Sequence, residues 1–104
     1  MARFDIYRNP YPVERGHTPY VLDVQNDHLS GLATRVVVPL RTEDFYRRTA
    51  HDLNPLIEVQ GQQLVMDTAS LAPVQARVLA RAVTQVGAQR PAVLAALDTL
   101  FGAY

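Results

Sequence analysis

Three histidines and ten carboxylates are the acid–base groups of this 104-residue chain, and arginine supplies every cation. Cysteine is absent, which removes disulfides, thiolate metal sites and thiol nucleophiles from consideration. His17, His28 and His51 fall in different segments, and none has a second histidine at metal-ligand spacing. Neither a metal nor a cofactor is expected. The only dense polar cluster is Asp23, Asp27 and His28. A carboxylate dyad would have to share a proton or a substrate, yet four residues of extended chain separate Asp23 from Asp27 by ~13 Å. Asp27, close to Ser30 and Gly31, reads better as a turn former. Asp67-Thr68 admits two readings: a catalytic acid beside a hydroxyl, or a pair that bonds the backbone of a turn. The only serines, Ser30 and Ser70, lack the context of a nucleophile elbow. Cleaving a phosphodiester would need a base and a cation, for which Asp23, Asp67, His28 and Arg35 are available without any catalytic motif. The residues point to an interaction protein rather than an enzyme.

Composition narrows the partners. The formal net charge is zero, whereas general nucleic-acid or membrane-surface binding needs a basic excess. Hydrophobic residues make up 48% and charged residues only 19%, so apolar surface is left over for a partner to cover. The opening MARFDIYRNP carries Arg3, Asp5 and Arg8 and is no signal peptide. No run approaches the ~20 apolar residues of a membrane span, and the expected location is cytoplasmic. One domain, 1–104, is expected.

The elements that would position these groups are mostly strands. RFDIY (3–7) alternates, with Phe4 and Ile6 on one face. Prolines 10, 12 and 19 make the following stretch a long loop or irregular hairpin. YVLDVQN (20–26) sets Tyr20, Leu22 and Val24 against Asp23 and Gln25, as a half-buried strand would. TRVVVPL (34–40) is a strand whose Pro39 implies an unpaired N–H side. Thr42, Glu43 and Asp44 could cap one helical turn reaching Arg48. LIEVQGQQLVMD reads as a hairpin turning at Gly61-Gln62. Residues 74–86 fit a helical stripe and a strand alternation, and composition leans to helix. From Pro91 onward a helix is clear, with Val93, Leu94, Leu97, Leu100, Phe101 and Tyr104 as its apolar stripe. Ala92, Ala95, Ala96 and Thr99 form a small face that could meet a second helix closely, which suggests a homodimer. Tyr104 either completes the stripe or serves as an exposed aromatic anchor.

Taken together, RFDIYRNP, residues 19–40, residues 53–74 and VLAALDTLF (93–101) resemble the CcdB toxin family from end to end. The resemblance implies a mainly β fold, an SH3-like barrel of antiparallel strands with a C-terminal α-helix, assembled as a two-fold homodimer. It also implies a strand at the start of 74–86. The activity implied is that of the toxin in a type II toxin–antitoxin pair. Such toxins bind the A subunit of DNA gyrase and trap its cleaved-DNA complex, and a CcdA-like antitoxin neutralises them through a flexible C-terminal segment. The antitoxin carries the DNA-binding part, so the toxin alone needs no DNA contact. The gyrase-facing positions implied here are His28, Leu29, Asp98, Phe101, Gly102, Ala103 and Tyr104. The family's best-known tail is Trp-Gly-Ile after Phe; here Phe101 is followed by Gly102, Ala103 and Tyr104, so the tryptophan is missing. That departure keeps a non-toxic binding homologue as one alternative, and the shared barrel keeps a MazF-like endoribonuclease as another.

Overall fold

The β-branched run at the middle of the chain becomes the strand on which the others are hung. The computed structural model describes residues 1–47 and 51–102. Its strands are β1 (Asp5–Arg8), β2 (Tyr20–Asp23), β3 (Thr34–Thr42), β4 (Leu56–Val59), β5 (Gln62–Met66), β6 (Ala72–Gln75) and β7 (Thr84–Gln85). One helix follows, α1 (Arg90–Phe101). All strand pairs are antiparallel, in the order β4-β5-β3-β2-β1-β7, with β6 also on β3. The result is a nearly closed barrel with one C-terminal helix, the fold class expected from the sequence.

β3 divides one of its edges between two partners: Thr34–Val37 pair with β6, and Leu40–Thr42 pair with β5. Pro39 stands in the gap between them, where a missing N–H breaks no ladder bond. Its carbonyl accepts from the Asp67 N–H at 3.0 Å. The strand therefore passes through its proline and ends two residues later than the sequence pattern suggested.

The barrel interior holds Ile6, Leu22, Val38, Leu40, Ile57, Leu64 and Met66, closed by Val93, Ala96 and Leu97 of α1. A second, smaller cluster of Tyr7, Val21, Val37, Val74 and Leu79 covers the other face of β1, β2 and β3. That cover corrects the expectation of a half-buried β2. Asp23 and Gln25, on its polar face, are both buried.

Residues 74–86 are not a helix. β6 occupies their start, as the family resemblance implied, and a 3-10 turn at Ala76–Val78 and the short β7 follow. The helical stripe loses because β3 offers a free ladder edge: Val74 pairs with Arg35 and buries against the second cluster. The hairpin also turns one residue earlier than expected, at Gln60-Gly61, with φ of 50° and 85° and Val59 opposite Gln62. Two consecutive positive φ values give the primed turn whose twist matches that of the strands, and glycine at the second site relieves it. After β3, the Thr42 carbonyl accepts from the Phe45 and Tyr46 N–H groups, which makes a hydrogen-bonded turn rather than a helix. The expected end of that turn, Arg48, lies outside the described residues.

On α1, Val93, Ala96 and Leu97 are buried. Ala96 thus belongs to the core face rather than to the small exposed face, fully buried with Val93 and Leu97 in the barrel cluster. Phe101, expected in the buried stripe, is 69% exposed. Gly102 ends the helix with φ 80°, its N–H donating to the Asp98 carbonyl at 2.8 Å. Two of the sheet's edges, β4 and β6, are blunted. The Gln89 side chain donates to the Leu56 carbonyl and accepts from the Glu58 N–H, standing in for a strand beside β4; Pro73, inside β6, lacks the N–H that a further strand would bond.

Candidate functional site

Two segments far apart in sequence meet at one end of the barrel. The first is the turn after β2. Here Asn26 accepts the His28 N–H on its side chain, and Asp27–Leu29 form a 3-10 turn. The second is the C-terminal half of α1. Between them lies a groove of about 480 Å³, walled by Val24, Leu29, Leu32, Leu71, Leu97 and Phe101. Its charged residues are Arg3 and Asp98. Leu29, Leu32 and Phe101 are 46%, 53% and 69% exposed, an unusual outlay of large apolar side chains on one surface.

The fold brings three of the expected positions, Leu29, Asp98 and Phe101, to this groove. His28 is exposed on the same turn and does not line it. Gly102 caps the helix beside Phe101. Ala103 and Tyr104 lie outside the described residues. Sequence reasoning missed Arg3, Leu32 and Gln25. Leu32 carried a usable signal, a large aliphatic residue in a Ser-Gly-rich turn, whereas Arg3 and Gln25 act through contacts no local pattern announces.

Three of the four groups available for catalysis, Asp23, Arg35 and Asp67, are spent on structure, whereas His28 is exposed. Asp23 and Arg35 form an ion pair of 2.7 Å with 0% and 1% of their side chains exposed. The hydrogen bond to Asp23 holds the Arg35 guanidinium further above its ordinary value, against the opposing effect of burial. Asp67 pairs with Arg41 at 2.8 Å, and the Thr68 hydroxyl donates to the Leu53 carbonyl. Neither side chain bonds the backbone of its own turn, as the second reading of Asp67-Thr68 expected: Asp67 takes an arginine, and Thr68 reaches the carbonyl of Leu53, fifteen residues earlier. Arg41 also donates to the Thr18 hydroxyl at 2.7 Å, which lies 2.6 Å from His17 Nδ1. The His17 ring stacks on Phe45 at 3.9 Å. This cluster ties the long loop after β1 to the end of β3. Burial, with Asp67 next in effect, pushes the Tyr46 phenol above its usual value. Among the described residues no three histidines, aspartates or glutamates could hold a metal ion. No helix among them is long and apolar enough to cross a membrane.

A small antiparallel barrel closed by one helix, with an apolar groove at that helix's end, defines the structural class. Comparison with family models gives the name. The chain matches the model described as CcdB protein over residues 3–102, nearly its whole length, and belongs to that family. Membership supports a toxin of the CcdB type. Comparison with curated proteins gives no match.

Proposed function

We propose that this protein binds the A subunit of DNA gyrase, traps the enzyme's cleaved-DNA complex, and is neutralised by a CcdA-like antitoxin. One observation carries the reading. Leu29, Asp98 and Phe101, which the family resemblance marks as gyrase-facing, come from segments about 70 residues apart and converge on one apolar groove. Their exposed area is suited to a macromolecular partner rather than to catalysis. A buried anchor of this kind accounts for ~2–4 kcal/mol of affinity, and Phe101 is the exposed aromatic at hand. The active unit in this reading is a homodimer, with the exposed small face of α1 against its copy. The antitoxin approaches as a flexible segment that orders on apolar surface. DNA binding is left to the antitoxin, in keeping with the zero net charge, and the compartment is the cytoplasm, where gyrase acts.

Purified protein added to gyrase, supercoiled DNA and ATP is expected to yield trapped double-strand breaks. Phe101→Ala should raise the concentration needed by tens-fold, about 2 kcal/mol. Absence of breaks at micromolar wild-type protein would sink the proposal. The endoribonuclease reading gains no support from the geometry, because Asp23 and Arg35 are sealed in the core and Asp67 is paired. Intact total RNA after incubation is the expected control.

A further inference from the structure

We infer that Gln25 and Asp27 are positioning residues for the partner-binding face, holding the turn that carries Leu29 on the rim of the groove. The inference rests on the gyrase reading above for its purpose, and on the following bonds for its substance. The β2–β3 ladder reaches one rung beyond β2, where Val24 N–H donates to the Val36 carbonyl at 3.0 Å. The main chain then leaves the sheet at Asn26, and the Gln25 side chain takes over the vacated place. Its Oε1 accepts from the Val36 N–H at 3.1 Å, while its Nε2 donates to the Leu29 carbonyl at 3.0 Å. A single buried amide thereby joins β3 to the turn. The place demands an acceptor and a donor together, which explains a neutral amide where an apolar or charged residue would leave a buried group unpaired.

Asp27 fixes the same turn from its other side. Its Oδ1 accepts from the Arg3 backbone N–H at 2.6 Å. Arg3 in turn donates through Nε to the Val24 carbonyl at 3.1 Å and lays its guanidinium 4.7 Å from the centre of the Phe4 ring. Phe4 is held at φ 73°, a conformation that a non-glycine residue keeps only when its surroundings impose it. The N-terminal arm, the turn and β3 are thus locked to one another before any partner arrives. Preorganisation of this kind adds affinity by lowering the ordering cost of binding.

The test uses the full chain with Asp27→Ala, Asp27→Asn and Gln25→Glu. Amide hydrogen exchange at Leu29 and Leu32 reads the turn without any partner, and binding to the gyrase A subunit reads the consequence. Asp27→Ala is expected to speed exchange and weaken binding up to about tenfold, the scale of one hydrogen bond. Asp27→Asn, which keeps the acceptor, should stay within about twofold of wild type. Gln25→Glu, which replaces the amide donor by a carboxylate oxygen, should speed exchange and weaken binding by about tenfold. Breaks trapped at saturating protein should be unchanged, with only the concentration required shifted. Unaltered exchange in Asp27→Ala and Gln25→Glu overturns the inference, as does an Asp27→Asn that falls as far as Asp27→Ala. Wild-type protein that never binds gyrase overturns the functional reading instead, and the exchange data then decide the positioning alone.

Discussion

Asp23 and Arg35 show what a single residue pair costs and returns. Both charges are withdrawn from water, and the 2.7 Å contact offsets that desolvation only in part. Asp23 gains a further bond from the Gln25 N–H at 3.0 Å, but the two terminal guanidinium nitrogens of Arg35 are buried without a hydrogen-bond partner. The pair therefore adds little net stability, whereas breaking it is expensive. Asp23→Ala should cost about 3–5 kcal/mol in urea unfolding, and Asp23→Leu combined with Arg35→Met should recover most of it. A second prediction follows from Tyr7, which packs beside this pair. Burial first, then the neighbouring Asp5 carboxylate, raises its phenol from 10.0 to about 12. A phenol with a raised folded value contributes stability in full below pH 10. That contribution fades as pH climbs toward 12, because the unfolded chain releases its proton first. The loss is on the order of 2–3 kcal/mol. Denaturation curves at pH 9 and pH 11.5 should differ by about 2 kcal/mol more for wild type than for Tyr7→Phe, the part of that loss reached by pH 11.5.

At the scale of elements, the β4–β5 hairpin depends on two residues held at positive φ. Gly61→Ala should destabilise by about 1–2 kcal/mol, the cost of a side chain in left-handed backbone, and Gln60→Asn should stabilise by about 0.5–1 kcal/mol. Thermal unfolding of the two variants checks both signs. The hairpin also shows which elements could be read beforehand. Alternation marked β1 and β2, a β-branched run marked β3 and two runs about a glycine turn marked β4 and β5. Each has one face in the barrel core, and helical spacing marked α1 because Val93 and Leu97 must reach that core. The placement of turns was less legible. Gly61 serves as well at the first turn position as at the second, and only pairing decides between them. The segment 74–86 was the least legible of all. Its valines and alanines satisfy both periods, and what settles it is a free edge on β3, a fact about tertiary structure that no local window contains. The expected outward face of β2 failed for the same reason: the second cluster on that side includes Val74 and Leu79, about 50 positions later, and Asp23 is buried against Arg35.

For the whole molecule, the site was legible only through family likeness. Leu29 and Phe101 are ordinary apolar residues in sequence, and their meaning appears when the barrel sets them on one groove. Helical spacing assigned Phe101 to the buried stripe, yet it lies past the end of the barrel with no core left to enter. On the small face of α1 the outcome is divided, because Ala96 is buried in the core. Ala92, Ala95 and Thr99 are exposed, and the Thr99 hydroxyl turns back to the Ala95 carbonyl at 2.9 Å. The surface this leaves is smooth enough for a second helix to approach closely, and the apolar residues beside it supply area toward the ~1,200–2,000 Å² that a stable pair buries. Light scattering on purified protein is therefore expected to give about twice the 11.6 kDa chain mass. Ala95→Arg, which places a long cation on that face without touching the core, should return the mass to a single chain while circular dichroism remains that of the folded barrel. A wild-type protein that runs as a monomer at tens of micromolar would remove the dimer from this account. An Ala95→Arg variant that stays paired would move the interface to another face.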